Sequence, residues 1–181
     1  MLKIVVPATE FWDEIHEEFI YKKEQTLQLE HSLVSLSKWE SKWHKAFLGK
    51  QEKTDEEILD YVRCMTLTQN VDPEIYTRLS AQNYRDINAY IEAPMTATCF
   101  REEKQVGKNK DVVTSELIYY WMISYNIPVD ICQKWHLNRL LTLIRVCSVK
   151  NAPPKKRSKR EMWSRQAALN AANRKRFGSN G

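Results

Sequence analysis

Thr26-Leu27-Gln28-Leu29-Glu30-His31-Ser32-Leu33-Val34-Ser35-Leu36-Ser37-Lys38-Trp39-Glu40-Ser41-Lys42-Trp43 contains a change of period, and that change decides the fold. Up to His31 apolar and polar residues alternate, which is the two-residue repeat of a half-buried strand. From Ser32 onward Leu33, Leu36, Trp39, Trp43 and Phe47 fall three or four apart, which is the repeat of a helix with one apolar stripe. A short β element therefore gives way to helices here, and Gly49 is placed to close the first of them.

Upstream, Leu2 to Val6 is a β-branched run stopped by Pro7 and reads as a strand. Glu18-Phe19-Ile20-Tyr21 and the run Thr26 to His31 flank the polar Lys22-Lys23-Glu24-Gln25, so these two runs are expected to form a hairpin. Periodicity leaves Phe11-Trp12-Asp13-Glu14-Ile15 open between a helical turn and a further piece of the sheet.

Downstream the helices announce themselves by their caps. Thr54-Asp55-Glu56-Glu57 is a capping box, in which the Thr54 hydroxyl accepts from the Glu57 amide and the Glu57 side chain accepts from the Thr54 amide. Asp72-Pro73-Glu74 places an N-cap before a proline at the first helical position. Ser80 opens a helix to about Glu92, ended by Pro94. Arg101 to Asp111 is nearly devoid of apolar residues and is expected to be a solvated loop. Thr114-Ser115-Glu116 begins a helix whose Leu117, Ile118, Tyr120, Trp121, Met122 and Tyr125 surround the cylinder, the pattern of a central helix. A second long helix is expected from about Val129 to Val149, the two forming a helical hairpin in the core.

Charge divides the chain. Met1 to Lys150 carries nineteen basic and twenty-two acidic residues, about −3, while Asn151 to Gly181 carries nine basic residues against Glu161 alone, about +8. The expectation is a mainly α (α+β) single domain over residues 1–150, with an N-terminal β-hairpin, followed by a basic, flexible or conditionally helical tail over 151–181. Pro153-Pro154 makes a stiff spacer. Ser158-Lys159-Arg160-Glu161 is a further capping box, opening a helix to about Arg176 ended by Gly178. Trp163, Ala167 and Ala171 give that helix one weak stripe, too little to stabilise it alone, so it is expected to form fully against a partner.

Several chemistries are disfavoured. Neither a Walker-type nor a dinucleotide-type glycine pattern occurs, and the chain holds four glycines in all. Cys64, Cys99, Cys132 and Cys147 are dispersed among apolar neighbours and read as small buried hydrophobes. The histidines lack metal-ligand spacing, and Cys132 with His136 cannot complete a tetrahedral shell. Arg139 and Arg145 admit a phosphate-binding reading but fit solvated or ion-paired positions better. No catalytic, metal or cofactor residue is assigned. No apolar run reaches the roughly 18 residues of a membrane span. The N-terminus lacks a secretory pattern, so a cytoplasmic protein is expected.

What is left is partner binding. Trp39 and Trp43 either anchor their helix to the core or line an exposed groove. Lys155, Lys156, Arg157, Lys159, Arg160 and Trp163 are the tail residues placed to meet a partner, through nucleic-acid phosphates or an acidic protein surface.

The segments Leu29 to Trp43, Asp60-Tyr61-Val62-Arg63-Cys64-Met65-Thr66, Pro94-Met95-Thr96-Ala97-Thr98, Glu116 to Ile123 and Lys134 to Ile144 resemble a family of small tail-morphogenesis proteins of tailed phages and prophages, often called tail assembly chaperones. The resemblance extends over nearly the whole chain. It implies a non-enzymatic assembly factor in the host cytoplasm, binding the tape measure protein and tail tube subunits and absent from the mature virion. The alternatives are a nucleic-acid-binding module acting through the tail, and a structural tail or connector subunit.

Overall fold

The computed structural model describes residues 1–14, 16–100, 112–153 and 159–178, with backbone alone for Asp13, Lys159 and Glu161. The expected loop over Arg101–Asp111 lies outside the described residues, as does Ser158 of the tail capping box. Two compact units are present, Met1–Ser148 and Val149–Gly181. The architecture is α+β and mainly helical, with the β element at the N-terminus.

Four strands open the chain: β1 (Leu2–Val6), β2 (Thr9–Asp13), β3 (Glu18–Lys22) and β4 (Gln25–Leu29). β1 pairs antiparallel with β4, from Leu2↔Leu29 to Val6↔Gln25, and β2 with β3, from Thr9↔Lys22 to Asp13↔Glu18. Partner numbers add to 31 in both pairings, so the two share one register and form a single ribbon interrupted at Pro7. The ambiguous Phe11-Trp12 run is thus a strand. The hairpin expected between Glu18–Tyr21 and Thr26–His31 is not formed. Each of those runs pairs instead with an N-terminal strand, because the innermost pair of the ribbon is Asp13↔Glu18, preceded by Glu17 in left-handed backbone at φ 52°.

The two halves of the ribbon differ in what covers them. In the proximal half Ile4, Val6, Leu27 and Leu29 turn into the core. The outer edge of β4 is closed by the chain after the second helix, with Leu67 N donating to Gln28 O (2.8 Å) and Gln28 N to Thr68 Oγ1 (2.9 Å). On the β1 side Asn83 Nδ2 donates to Val5 O (3.2 Å). Edges covered in this way are protected against pairing with another chain. Among the described residues the β2–β3 half has no third strand.

The helices follow as α1 (Leu33–Trp43), α2 (Asp55–Met65), a 3-10 turn at Pro73–Arg78, α3 (Ala81–Glu92), α4 (Ser115–Ser124), α5 (Val129–Cys132), α6 (Leu137–Asn151) and α7 (Lys159–Phe177). Ser32, Thr54, Asp72, Ser80 and Thr114 each cap the element that follows by accepting a backbone N–H. Gly49 does not close α1. His44 does, in left-handed backbone at φ 52°, which histidine adopts more readily than most residues. Phe47 consequently lies beyond the helix, stacked on Tyr61 with ring centroids 3.7 Å apart.

Two apolar clusters fill the first unit. One joins the proximal ribbon to Trp39, Tyr61, Val62, Met65, Ile75, Ile87 and Tyr90. The other joins Leu33 and Leu36 to Ile118, Met122, Ile127, Cys132, Leu137, Leu140 and Ile144. α1 supplies both, which is why its stripe is apolar from end to end. α4 is less central than its composition implies: Ile118 and Met122 are buried, but Tyr120 and Ile123 are 64% and 67% exposed. The helix expected over Val129–Val149 is broken after Cys132, since Leu137 N donates to His31 O (2.7 Å) and Ser32 bridges to His136, diverting backbone groups from a continuous helix. Ile131, on the short α5, is consequently exposed.

Candidate partner-binding surfaces

The indoles of α1 come first. Trp39 is fully buried, and its Nε1 donates to Glu57 O at 2.8 Å. It is a core anchor, and the groove alternative does not hold for it. Trp43 is half-buried against the first cluster, with Nε1 donating to Asp60 Oδ2 (2.9 Å). Burial of both rings follows from α2 lying along the α1 stripe and offering one acceptor to each indole.

Buried acids around these rings act as joints. Glu57 accepts from Lys45 and from Thr54 N (2.9 Å), and these contacts hold its carboxyl below the usual carboxylate range, Lys45 contributing most. Asp60 takes Lys42 on its other oxygen. Glu40 accepts from Phe47 N (2.9 Å) and Ser115 N (2.7 Å), tying α1 to α4. These carboxylates are occupied by cationic and backbone donors of the fold itself, which is structural rather than acid–base use.

A polar network adjoins the first apolar cluster at Tyr61 and Tyr90. His31 Nδ1 lies 2.6 Å from the Tyr61 hydroxyl, and the His31 and His136 rings are 5.2 Å apart. Tyr90 donates to Glu30 Oε1 (2.7 Å), and Glu30 also pairs with the Met1 amino group (2.8 Å). Burial, aided by the neighbouring His136, pushes His31 down to about 4. Burial lowers His136 as well and raises Tyr61 and Tyr90. His31, His136, Tyr61 and Tyr90 are therefore held in their neutral forms at neutral pH.

Of the cysteines, Cys132 is buried, Cys64 and Cys147 are half-buried, and Cys99 is exposed, contrary to the uniform burial expected. Arg139 and Arg145 do not form a phosphate pair: each guanidinium lies 4.2 Å from an aromatic ring, Trp135 and Phe100 respectively.

In the second unit, every described side chain of α7 is exposed, Met162, Trp163, Leu169 and Phe177 by half or more. Arg160 and Trp163 both stand on it, whereas Lys155, Lys156 and Arg157 lie outside the described residues and the Lys159 side chain is not described. Basic residues are spread round the helix at Arg160, Arg165, Arg174, Lys175 and Arg176.

The surface missed at the level of sequence is the β2–β3 arm. Phe11, Trp12, Phe19 and Tyr21 are 40–68% exposed, and the Trp12 and Phe19 rings meet edge-on at 4.8 Å. Its signal was present in the aromatic residues on both alternating faces of the arm, which one core cannot bury together. Lys22 fixes the base of the arm, pairing with Asp72 (3.0 Å) and Glu74 (2.9 Å) of the 3-10 turn.

No protein-family model, curated protein or solved structure matches this chain.

Proposed function

We propose that this protein is a non-enzymatic assembly factor of the tail-chaperone kind, which holds a helical segment of a phage tape measure protein, and tail tube subunits, during tail morphogenesis. The observation that carries the reading is α7, a 19-residue basic helix whose described side chains are all solvent-exposed. An isolated helix of this length and composition is marginal in water, so a binding partner supplies the energy that orders it. Exposed Trp163 and Phe177 give it aromatic anchors, and the surrounding guanidinium groups select an acidic surface.

The resemblance of the segments quoted above to tail-morphogenesis proteins names the partner class. The globular unit serves as a carrier in this reading, because α2 buries Trp39 fully and engages the half-buried Trp43 through Asp60. The chain acts in the host cytoplasm and is left out of the finished particle. Co-expression with tape measure segments tests it: the full chain co-purifies with at least one segment, and a chain ending at Lys150 does not. Retention of generic DNA by the full chain, lost with rising salt and lost on the same deletion, would instead identify a nucleic-acid module. Finding the chain in purified virions by mass spectrometry would identify a structural subunit.

A further inference from the structure

The β2–β3 arm and α7 carry opposite charge on opposite kinds of surface. Thr9–Lys22 contains Glu10, Asp13, Glu14, Glu17 and Glu18 against Lys22 alone, whereas Lys159–Phe177 contains six basic residues against Glu161. The arm's one base is already engaged with Asp72 and Glu74. Between its acids stand Phe11, Trp12, Phe19 and Tyr21, exposed by 40% or more, aromatic surface of the kind that receives a guanidinium. That pairing is used elsewhere in this chain, with Arg139 on Trp135, Arg145 on Phe100 and Arg63 on Tyr76.

We infer that the protein self-associates head to tail, the acidic aromatic arm of one copy receiving the basic helix α7 of a second copy. Charge decides among the occupants. Pairing two arms would bring two strongly acidic segments together, and nucleic acid would meet the same repulsion, whereas α7 brings cations and the aromatic side chains of Trp163 and Phe177. Each copy has one arm and one helix, so the contact joins unlike surfaces and closes either by reciprocal exchange between two copies or as a larger ring, and otherwise runs on as an open chain. The association goes beyond the chaperone reading and does not depend on it. It would also provide a resting partner for α7, from which an acidic client could displace it.

The test uses purified full-length protein and no client. Solution mass is measured by sedimentation against concentration at about 50 mM and about 500 mM salt, a change that shortens the screening length severalfold. The wild-type chain is expected to grow in mass with concentration at low salt and to dissociate at high salt. Reversing the arm (Glu10→Lys, Glu14→Lys, Glu17→Lys, Glu18→Lys) or the helix (Arg160→Glu, Arg165→Glu, Arg174→Glu, Lys175→Glu, Arg176→Glu) weakens association by roughly tenfold or more, and combining both reversals in one chain restores it. The double reversal guards against a variant that fails to fold. A wild-type monomer at every concentration, oligomers unchanged by either reversal, or no recovery in the double variant would overturn the inference. Loss of tape measure binding alone would not, since no tape measure protein enters the measurement.

Discussion

At the scale of single residues, the two kinds of tryptophan separate folding from binding. Trp39 is enclosed and hydrogen-bonded, so Trp39→Ala is expected to cost about 3–5 kcal/mol in denaturant unfolding, while Trp163→Ala on the exposed α7 stays within about 0.5 kcal/mol. Equal losses would mean that α7 is part of the core. His31 makes a second prediction. Its folded-state value of about 4 lies below the ordinary 6.5, so between these values the unfolded chain takes up a proton that the folded chain refuses. The stability tied to His31 is complete above about pH 6.5 and is lost as pH falls toward 4, by roughly 3 kcal/mol if the full shift is realised. Unfolding midpoints measured from pH 7 to 4.5 are expected to decline steadily. A flat profile over that window would show that the network admits a charged histidine.

Elements were legible where their signals are local. Capping at Thr54, Asp72, Ser80 and Thr114 could be read directly, since a cap and its partner lie within three residues. Thr54→Ala is accordingly expected to destabilise by about 1 kcal/mol through lost capping of α2, measurable by the same unfolding experiment. Strand pairing was not legible, because Glu18–Lys22 and Gln25–Leu29 are each compatible with a short hairpin and only the shared register with β2 and β1 assigns them. The break between α5 and α6 was likewise hidden: its cause is His31, about a hundred residues earlier in the chain, accepting from Leu137 N. For the candidate surfaces, composition marked the basic tail but left the α1 tryptophans open between core and groove. An apolar stripe at helical spacing marks a face that will be covered without saying whether its own chain does the covering, and here α2 does. The arm was overlooked for a different reason: periodicity left Phe11 and Trp12 without an assigned element, and only the ribbon shows them, with Phe19 and Tyr21, beyond the covered half.

For the molecule as a whole, both apolar clusters lie within Met1–Ser148, and among the described residues none of their members comes from the second unit. Ending the chain after Lys150 is therefore expected to leave the unfolding free energy of the globular unit within about 0.5 kcal/mol of the full chain, while removing client binding. A large loss of stability would assign α7 a structural role. The charge pattern follows the same division: a slightly acidic unit folds on its apolar clusters, and the excess of positive charge lies in the tail, outside them. Hydrogen–deuterium exchange of the full chain, alone and with a bound tape measure segment, tests whether α7 is ordered by a partner rather than by its own fold. Rapid exchange is expected across Lys159–Phe177 in the free chain at low protein concentration, with strong protection there in the complex and unchanged protection in α1, α2 and α6. Amides of α7 as protected in the free chain as those of α1, or unprotected in the complex, would contradict it.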